Sequence, residues 1–561
     1  MTRQFEAKVR DGAARLGTLI WRDQELPTPH TFESKDELEF LQELVSCKAE
    51  IDVTVVPAEG DAGAERGDAD IVVLAAAARL RGDPRGLTEA LLRARQCANP
   101  DSALYVPALA TPQNLSLLVY AGADLVDSIA VEVKAREGYF LDADGERRCS
   151  EVWRRPCVCR ACNGTDVTEL SFEQKVTLAA EHNKESLRVE LSKIAEHIER
   201  GTLRELVEGR CRAAATTTAL LRLLDKEYRY FERRSPIVRI ATLRACSQES
   251  LNRPEIRRFN ERVVERLQRR AGVLLLLPCS ARKPYSTSRS HRIVGARLGK
   301  LRQYLNEAII TSPIGVVPRS LEILYPASNY DAPVTGEWTC DEREWVIERL
   351  SQYLSANAFE SVIAHVSGPY RQISDAATAP LGIEVVYTVD DDDILSPASL
   401  ERLRSVAHEQ VEAFSPPRRD LRFDIVRDLA DYEFGPRASE AIFPRTPKIR
   451  GLFPMYHASE RGKRIATITG KYHTLALTVD GARRYLSKMK KRYCVRIDDF
   501  MPRGTVFAVG VLDADPEIRP LDEVIVANDK VIGVGRALMS GWEMQASKKG
   551  SAVAVRHLEL L

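Results

Sequence analysis

The sequence lacks an apolar run long enough to cross a membrane. A spanning helix needs about 18 or more consecutive apolar residues, and every apolar run here is far shorter. Residues 1–6 also do not begin the apolar core of a secretory signal. We therefore expect a soluble, cytoplasmic protein with no membrane partner.

An excess of one charge sign is also missing. There are 81 Lys and Arg against 80 Asp and Glu, so the formal net charge is +1. Binding to nucleic acid would therefore have to come from local basic patches. A P-loop lysine motif and a dinucleotide-binding glycine fingerprint are absent too.

Cysteine is sparse, with eleven in 561 residues, and the odd number argues against a disulfide framework. One group is clustered: Cys157, Cys159 and Cys162, with His182 twenty residues after the last of them. Three thiolates at this spacing and an imidazole on a following helix predict a closed tetrahedral zinc site of the structural kind.

The stretch with the most chemistry follows Gly272 to Leu277, an apolar run that predicts a buried strand of a parallel sheet. Residues 278–291 then form a loop at the carboxyl end of that strand, where ligands bind in open α/β sheets. The loop holds a thiol, Cys279, among serines, basic residues, a tyrosine and a histidine. A polar connection with one buried Cys remains the alternative.

The length predicts about three to five domains. Strands and helices alternate in residues 1–245, with buried strands expected at 70–75 and 103–107, which favours a parallel, barrel-like α/β domain. Residues 246–400 predict a second α/β domain that opens with a helix at 253–270. Residues 401–480 predict a small α+β domain. Residues 481–561, with a strand expected at 504–511, predict a small β-barrel.

Residues 278–291 resemble the P-C-S-x-x-K-P-Y-x-x-S-x-S-H signature of the archaeosine synthase family of archaea. The resemblance implies an action on tRNA that carries 7-cyano-7-deazaguanine in the D-loop. It implies a nitrogen donor, lysine or in the older proposal glutamine, that is added to the nitrile carbon. It also implies a separate radical enzyme as a partner, and we expect a homodimer.

The first domain resembles the tRNA-guanine transglycosylase fold, a TIM-barrel-like fold. The matching pieces are residues 11–19, residues 124–128, the Cys/His cluster and the pair His182-Asn183. The resemblance places Asp127 at the position of that family's nucleophile and substrate contact. The family's substrate-pocket and second-aspartate segment, of the S-D-S-G-G-F-Q type, has no counterpart between residues 50 and 110. We therefore expect that this domain is no longer catalytic and serves a structural role and RNA docking.

The last domain is similar to the PUA domain, an RNA-binding module. The glycines at 504, 510, 533, 535 and 550 fit its pattern. Lys488, Lys490, Lys491 and Arg492 give it a basic patch, which predicts a contribution to tRNA affinity and none to the chemistry.

A nitrile carbon is electrophilic, and a thiolate is a natural nucleophile for it. Cys279 is therefore a candidate nucleophile, Lys283 a group that lowers the pKa of the thiol, and His291 a general acid or base. The candidate substrate-binding residues are Ser280, Tyr285, Ser288, Ser290 and Asp127. Direct attack by the amine, with the serines only holding the base, is equally compatible with the sequence.

Two other functions are compatible with the sequence. One is a non-catalytic tRNA-binding platform that serves a partner enzyme, against which the crowded loop argues. The other is an active tRNA-guanine transglycosylase, against which the missing pocket segment argues.

Overall fold

The computed structural model describes residues 5–21, 24–33, 39, 52–59, 69–152, 154, 157–267, 271–333, 337–390, 392–489 and 491–561. The chain divides into two compact units. Unit 1 comprises Met1–Pro236, Phe507–Gly510 and Trp542–Ala552, and unit 2 comprises Ile237–Val506, Val511–Gly541 and Val553–Leu561.

The β-strands of the described residues are, in chain order, β1 (Phe5–Asp11), β2 (Ala14–Trp21), β3 (Gln24–Thr28), β4 (His30–Phe32), β5 (Val53–Pro57), β6 (Ile71–Ala75), β7 (Ala103–Tyr105), β8 (Leu125–Asp127), β9 (Tyr139–Asp142), β10 (Gly145–Arg148), β11 (Leu243–Arg244), β12 (Ala271–Pro278), β13 (Leu305–Thr311), β14 (Gly315–Pro318), β15 (Tyr330–Asp331), β16 (Ala358–Ala364), β17 (Val385–Tyr387), β18 (Lys448–Leu452), β19 (Met455–Glu460), β20 (Lys463–Ile468), β21 (Leu475–Leu477), β22 (Cys494–Ile497), β23 (Thr505–Phe507), β24 (Val511–Ala514), β25 (Glu523–Ala527), β26 (Val531–Ala537) and β27 (Ser551–Leu560).

The α-helices of the same residues are α1 (Pro84–Cys97), α2 (Leu115–Tyr120), α3 (Ile129–Arg136), α4 (Phe172–Arg200), α5 (Leu203–Arg210), α6 (Ala215–Leu224), α7 (Tyr228–Glu232), α8 (Pro254–Arg266), α9 (Arg289–Leu298), α10 (Cys340–Ser355), α11 (Gly368–Thr378), α12 (Pro397–Phe414), α13 (Leu421–Phe434), α14 (Ala438–Ile442), α15 (Val479–Lys488) and α16 (Gly541–Ala546). None of them is long and apolar enough to span a membrane.

Unit 1 contains a parallel sheet with the strand order β4-β8-β7-β6-β5. Its strands are short and apolar, and α1 and α2 connect β6 to β7 and β7 to β8. The alternation of strand and helix is therefore as predicted, because each helix covers a buried strand. Closure of this sheet into a barrel stays a prediction. An antiparallel sheet with the order β1-β2-β3 precedes it.

Helix α4 supplies the framework for the cysteine cluster. Its first turn is fixed by a capping box in which Ser171 Oγ accepts from the Gln174 N–H at 3.3 Å and Gln174 Oε1 accepts from the Ser171 N–H at 2.9 Å. His182 and Asn183 lie on its buried face. Asn183 joins the helix to β9, because its Oδ1 accepts from the Leu141 N–H at 2.7 Å and its amide donates to the Tyr139 carbonyl at 3.0 Å.

Unit 2 is built on a sheet with the order β14-β13-β12-β16-β17. Strand β12 is central and pairs in parallel with β13 and β16. Its leucines, Leu274 to Leu277, are buried, as expected for a strand covered on both faces. The predicted buried strand is confirmed, and the loops that follow β12 and β16 leave from the same edge of the sheet.

Two predicted elements differ from the observed ones. The helix predicted at 253–270 is α8, which ends at Arg266, and residues 268–270 lie outside the described part of the chain. The single strand predicted at 504–511 is divided into β23 and β24 by a 3-10 turn at Ala508–Gly510. The alternation of apolar residues in this segment did not predict which side chains are buried, since Phe507 and Val509 are exposed.

The remainder of unit 2 contains an antiparallel sheet with the order β18-β19-β20-β21, with α13, α14 and α15 around it. A further sheet near the carboxyl terminus has the order β23-β27-β26-β25-β22-β24. Many short strands in mostly antiparallel order match the small β module predicted for this region.

Candidate active site and metal centre

The four predicted zinc ligands meet in unit 1. The Sγ atoms of Cys157, Cys159 and Cys162 lie 3.3, 3.5 and 3.4 Å from Nδ1 of His182. All four ligand atoms lie within 4.8 Å of one another. Tetrahedral zinc with ordinary bond lengths would separate sulfur from nitrogen by about 3.5 Å. The geometry therefore fits a four-ligand metal ion of zinc's size.

The surroundings of His182 orient it as a ligand. Its Nε2–H donates to the Leu141 carbonyl at 3.0 Å, which leaves Nδ1 as the free lone pair facing the thiols. Burial raises the pKa of Cys157 and Cys162, and burial lowers the pKa of His182. Three thiolates this close would repel one another without a cation between them, so the four residues together could hold a metal ion.

Cys279 lies directly after β12 and is half-buried. Its Sγ is 3.1 Å from the hydroxyl of Tyr370, which follows the neighbouring strand β16 in the first turn of α11. Burial raises the pKa of Tyr370, and the nearby Cys279 thiolate raises it further. The phenol is therefore protonated at neutral pH and can donate a hydrogen bond to the sulfur.

Lys283 belongs to the same pocket. Its Nζ lies 3.8 Å from the centre of the Tyr330 ring, a cation–π contact. Burial lowers the pKa of Lys283, while the Cys279 thiolate and Asp331 raise it. Lys283 is thus within electrostatic reach of Cys279, and its predicted effect on the thiol stays a prediction.

Tyr285 is fully buried and anchors the loop to the strands beneath it. Its hydroxyl lies 2.9 Å from the Tyr330 hydroxyl, which in turn lies 2.6 Å from Oγ1 of Thr311. Burial raises the pKa of Tyr285 well above its ordinary value. In this position Tyr285 supports the loop, and its predicted contact with substrate stays a prediction.

Both ring nitrogens of His291 are occupied by protein groups. Its Nε2–H donates to the Pro278 carbonyl at 3.0 Å, and Nδ1 accepts from Arg319 Nη2 at 2.8 Å. Burial, and then the Arg319 charge, lower the pKa of His291 to about 3. The imidazole is neutral at physiological pH and holds the residue before Cys279 in place.

An ion-pair network continues from His291. Arg319 donates to Glu307 at 2.8 Å and to Glu322 at 2.9 Å, and Glu322 accepts from the Ser286 N–H at 2.9 Å. Nearby cations, Arg319 first, lower the pKa of Glu307 to about 2 against the effect of its burial. The second half of the loop is therefore tied to the turn after β14, at Ser286 through Glu322 and at His291 through Arg319, and Glu307 of β13 holds Arg319.

The three candidate serines have different environments. Ser288 Oγ caps α9 by accepting from the His291 N–H at 3.3 Å, and it lies 3.4 Å from Ser290 Oγ. Ser280 Oγ donates to the Arg282 carbonyl at 3.0 Å. Ser280 and Ser290 are half-buried and Ser288 is buried, so the first two are better placed to meet a substrate.

Asp127 lies at the carboxyl end of β8, with none of its surface exposed. Its carboxylate accepts from the Tyr105 hydroxyl at 2.7 Å, from the Ala108 N–H at 2.8 Å and from the Ile129 N–H at 3.1 Å. Burial raises its pKa. In this conformation Asp127 acts as a structural hydrogen-bond acceptor, and its predicted contact with substrate stays a prediction.

We expect Asp127→Asn to leave the main reaction intact in each folded molecule. The amide would place its NH2 group against backbone and phenol donors, so the free energy of unfolding should fall by about 1–3 kcal/mol. Single-turnover modification of tRNA, normalised to folded protein, gives the rate, and thermal denaturation gives the stability. Loss of modification in a variant that folds and binds tRNA normally would mean that unit 1 is still a catalyst.

These features define the class of the protein. A parallel α/β unit with a Cys3His cluster, a second α/β sheet whose loop carries Cys279 and a small β module are the parts of a multidomain tRNA-modifying enzyme. Family models agree with this assignment: queuine tRNA-ribosyltransferase matches residues 68–216, a domain of unknown function 256–407, the patch-forming domain C2 of tRNA-guanine transglycosylase 424–491, and the PUA domain 497–558.

The chain belongs to the archaeosine synthase family. It is 39% identical to the archaeosine synthase subunit alpha of Methanosarcina acetivorans, over 100% of this chain and 91% of that protein. It is 36% identical to the archaeosine synthase of Haloferax volcanii, over the full length of both. A tRNA-guanine(15) transglycosylase of Methanothermobacter thermautotrophicus is 28% identical, over 84% of this chain and 68% of that protein.

The structure adds residues that the sequence did not single out. Tyr370 is 91 residues from Cys279 in the chain, and Arg319 is 28 residues from His291. For Tyr370 the available signal was its position after β16, because β16 is parallel to β12 and the ends of adjacent parallel strands lie together. Arg319 follows β14, which is antiparallel to β13, so its position in the chain carried no such signal.

Proposed function

We propose that this chain adds an amine to the nitrile of 7-cyano-7-deazaguanine in the D-loop of tRNA. The observation that carries the proposal is the pairing of the Cys279 thiol with the Tyr370 hydroxyl at 3.1 Å, at the carboxyl edge of a parallel sheet. The family membership supplies the substrate, because the named relatives are archaeosine synthases.

The chemistry divides into two balanced steps. The Cys279 sulfur forms a bond to the nitrile carbon, and the nitrile nitrogen takes up one proton, which gives a thioimidate. The amine then attacks the same carbon, the bond to sulfur breaks, and the thiol recovers a proton. The product is an amidine that contains the whole amine, and no other group leaves.

The neighbouring residues have separate roles in this scheme. Tyr370 is protonated and beside the sulfur, so it can deliver the proton to the nitrile nitrogen. Lys283 places a positive charge near Cys279, where it can stabilise negative charge that develops during the addition. His291 we assign to positioning, since both of its nitrogens hold protein groups; its predicted acid–base role stays a prediction.

Three further parts of the proposal concern partners and cofactor. The donor is lysine, with glutamine-derived nitrogen as the alternative, and a separate radical enzyme completes the product. The name "subunit alpha" of one relative supports a second component for that protein.

The metal is zinc, for which a Cys3His set is typical. We also propose a homodimer in the cytoplasm, a barrel-like unit 1 and the four domains of the sequence analysis.

The carboxyl-terminal module is proposed to bind tRNA without taking part in the chemistry. Lys488 and Lys491 of the predicted basic patch, which lie in the segment that matches the patch-forming domain C2, are exposed, while Lys490 lies outside the described residues. Among the described residues, the hydrogen-bond partner of the Lys488 ammonium is the backbone carbonyl of Glu440 at 3.4 Å.

The double variant Lys488→Ala/Lys491→Ala should bind tRNA more weakly and with a shallower salt dependence. Each lost phosphate contact should make the plot of the logarithm of the tRNA association constant against the logarithm of salt concentration shallower by about 0.7–0.9. Lys530→Ala is the matched control, because that exposed lysine is already paired with Asp499 at 2.7 Å. Binding titrations from low to high salt measure the slope, and an unchanged slope in the double variant would exclude these two lysines from the interface.

The proposed function is tested by incubating tRNA that carries 7-cyano-7-deazaguanine with the protein and single amines, followed by mass spectrometry of the nucleosides. We expect the modified nucleoside to gain the full mass of lysine. Unchanged nitrile with every amine would favour a non-catalytic platform. Incorporation of labelled guanine in a parallel assay would instead indicate base exchange.

A further inference from the structure

Trp338 packs against Tyr370, the residue whose hydroxyl meets the Cys279 thiol. Trp338 and Tyr370 are both half-buried. Their ring centres are 5.0 Å apart and their planes meet at 69°, so the rings form a corner. The Tyr370 hydroxyl at the end of one wall is the group that lies 3.1 Å from Cys279 Sγ.

The corner is held in place by the helices on either side. Thr339, the residue after Trp338, caps α10: its Oγ1 accepts from the Glu342 N–H at 3.3 Å, and its N–H donates to Glu342 Oε2 at 2.9 Å. The Trp338 carbonyl accepts from Arg343 Nε at 3.1 Å. Tyr370 lies in the first turn of α11, where its carbonyl accepts from Ser374 Oγ at 2.9 Å. Two half-exposed rings are thus set beside a nucleophile by rigid elements.

Enzymes that act on a base in folded RNA or DNA take the base out of its stack and bind it against aromatic side chains. We propose that Trp338 and Tyr370 form the subsite for the flipped 7-cyano-7-deazaguanine base, an inference that rests on the proposed function. Trp338 offers the broad face on which the base stacks. Tyr370 closes one edge and directs the base toward the sulfur.

The shape of the substrate fits this assignment. The nitrile is linear and lies in the plane of the deazaguanine ring, so a base stacked on Trp338 presents its nitrile along the surface of the corner. At the end of that surface are the Cys279 sulfur and the Tyr370 hydroxyl. The indole N–H of Trp338 has no hydrogen-bond partner within the described part of the chain, and it is available to an acceptor on the base or its ribose.

The test compares two tRNAs that differ only in this base. One carries 7-cyano-7-deazaguanine, and the other is abasic at the same position. For each protein the measured quantity is the ratio of the Kd for abasic tRNA to the Kd for nitrile-bearing tRNA. The cost of flipping the base is the same for all proteins, so changes in the ratio report contacts to the base.

We expect Trp338→Ala and Trp338→Leu to lower this ratio about tenfold, the order of one stacked base. Trp338→Phe keeps an aromatic face and should stay within about threefold of the natural protein. Tyr370→Phe should keep the ratio and slow single-turnover modification. Phe414→Ala is the control: Phe414 is 44% exposed, and Pro416, two residues on, packs against Gly272 at the opposite end of β12 from Cys279.

A ratio unchanged in both Trp338→Ala and Trp338→Leu would overturn the subsite. Should Trp338→Ala fail to fold, the ratios for Trp338→Leu and Trp338→Phe are compared instead. Both variants keep a large apolar side chain at this position, and only Trp338→Phe keeps an aromatic ring. A raised KM for the amine with an unchanged ratio would assign the corner to the donor and also overturn the proposal. Failure of the natural protein to modify the tRNA would count against the proposed function instead; modification with an unchanged ratio counts against the subsite alone.

Discussion

Replacing Cys279 by Ser should slow modification of nitrile-bearing tRNA by at least about 100-fold in a single turnover, with tRNA affinity barely changed. Serine has nearly the same size, so the loop and its contacts survive. Its hydroxyl ionises far less readily than a thiol and is a weaker nucleophile for a nitrile carbon. The loss should therefore appear in the chemical step alone.

The control for this variant is Cys246→Ser, which changes an exposed cysteine of the same unit and should keep the natural rate. A rate close to the natural one in Cys279→Ser would exclude covalent catalysis by Cys279. The loop would then hold the base, with Ser280 and Ser290 as the accessible hydroxyls, while the amine attacks the nitrile directly.

The second large effect is expected from the metal centre. Cys162→Ser removes a buried sulfur from the four-residue cluster, so the proposed metal ion would keep only three of its ligands. Metal binding at such sites is part of the folding free energy. We expect the metal content to fall well below one per chain and the free energy of unfolding to fall by more than about 4 kcal/mol, the range of exceptional single substitutions.

Cys149→Ser is the matched control for the metal centre. Cys149 is a buried thiol in the same hydrophobic cluster as Cys162 but is not one of the four ligands. Its variant should keep full metal content by elemental analysis. The assignment of these four residues as a metal site would be contradicted if the natural protein contained no metal, or if Cys162→Ser kept one metal ion per chain.

Local patterns predicted the parts of this molecule that depend on neighbours in the chain. The leucine run before Cys279 is the central buried strand, and the cysteine spacing does bring three thiols to one histidine. In each case the residues that make the feature are close in sequence or follow a simple periodicity. His182 and Asn183 do lie on a helix, but they are inside Phe172–Arg200 and do not open it as predicted.

Contacts between segments that are far apart in the chain could not be predicted from the sequence. His291 was predicted to exchange protons, but the partner that occupies its Nδ1, Arg319, comes from the turn after β14. Asp127 is enclosed by Tyr105 and by the backbone of Ala108, a consequence of how β7 and β8 lie side by side. Burial and hydrogen bonding decide the role of a titratable side chain, and neither is visible in the residue types alone.

The most direct test of the account is to omit the amine. With nitrile-bearing tRNA and no donor, the thioimidate should accumulate, and intact-mass analysis should show protein joined to RNA, with the attachment mapped to the peptide that contains Cys279. Addition of lysine should release the protein and leave the amidine in the tRNA. Absence of any adduct in the natural protein, or an adduct that persists in Cys279→Ser, would contradict covalent catalysis by this thiol.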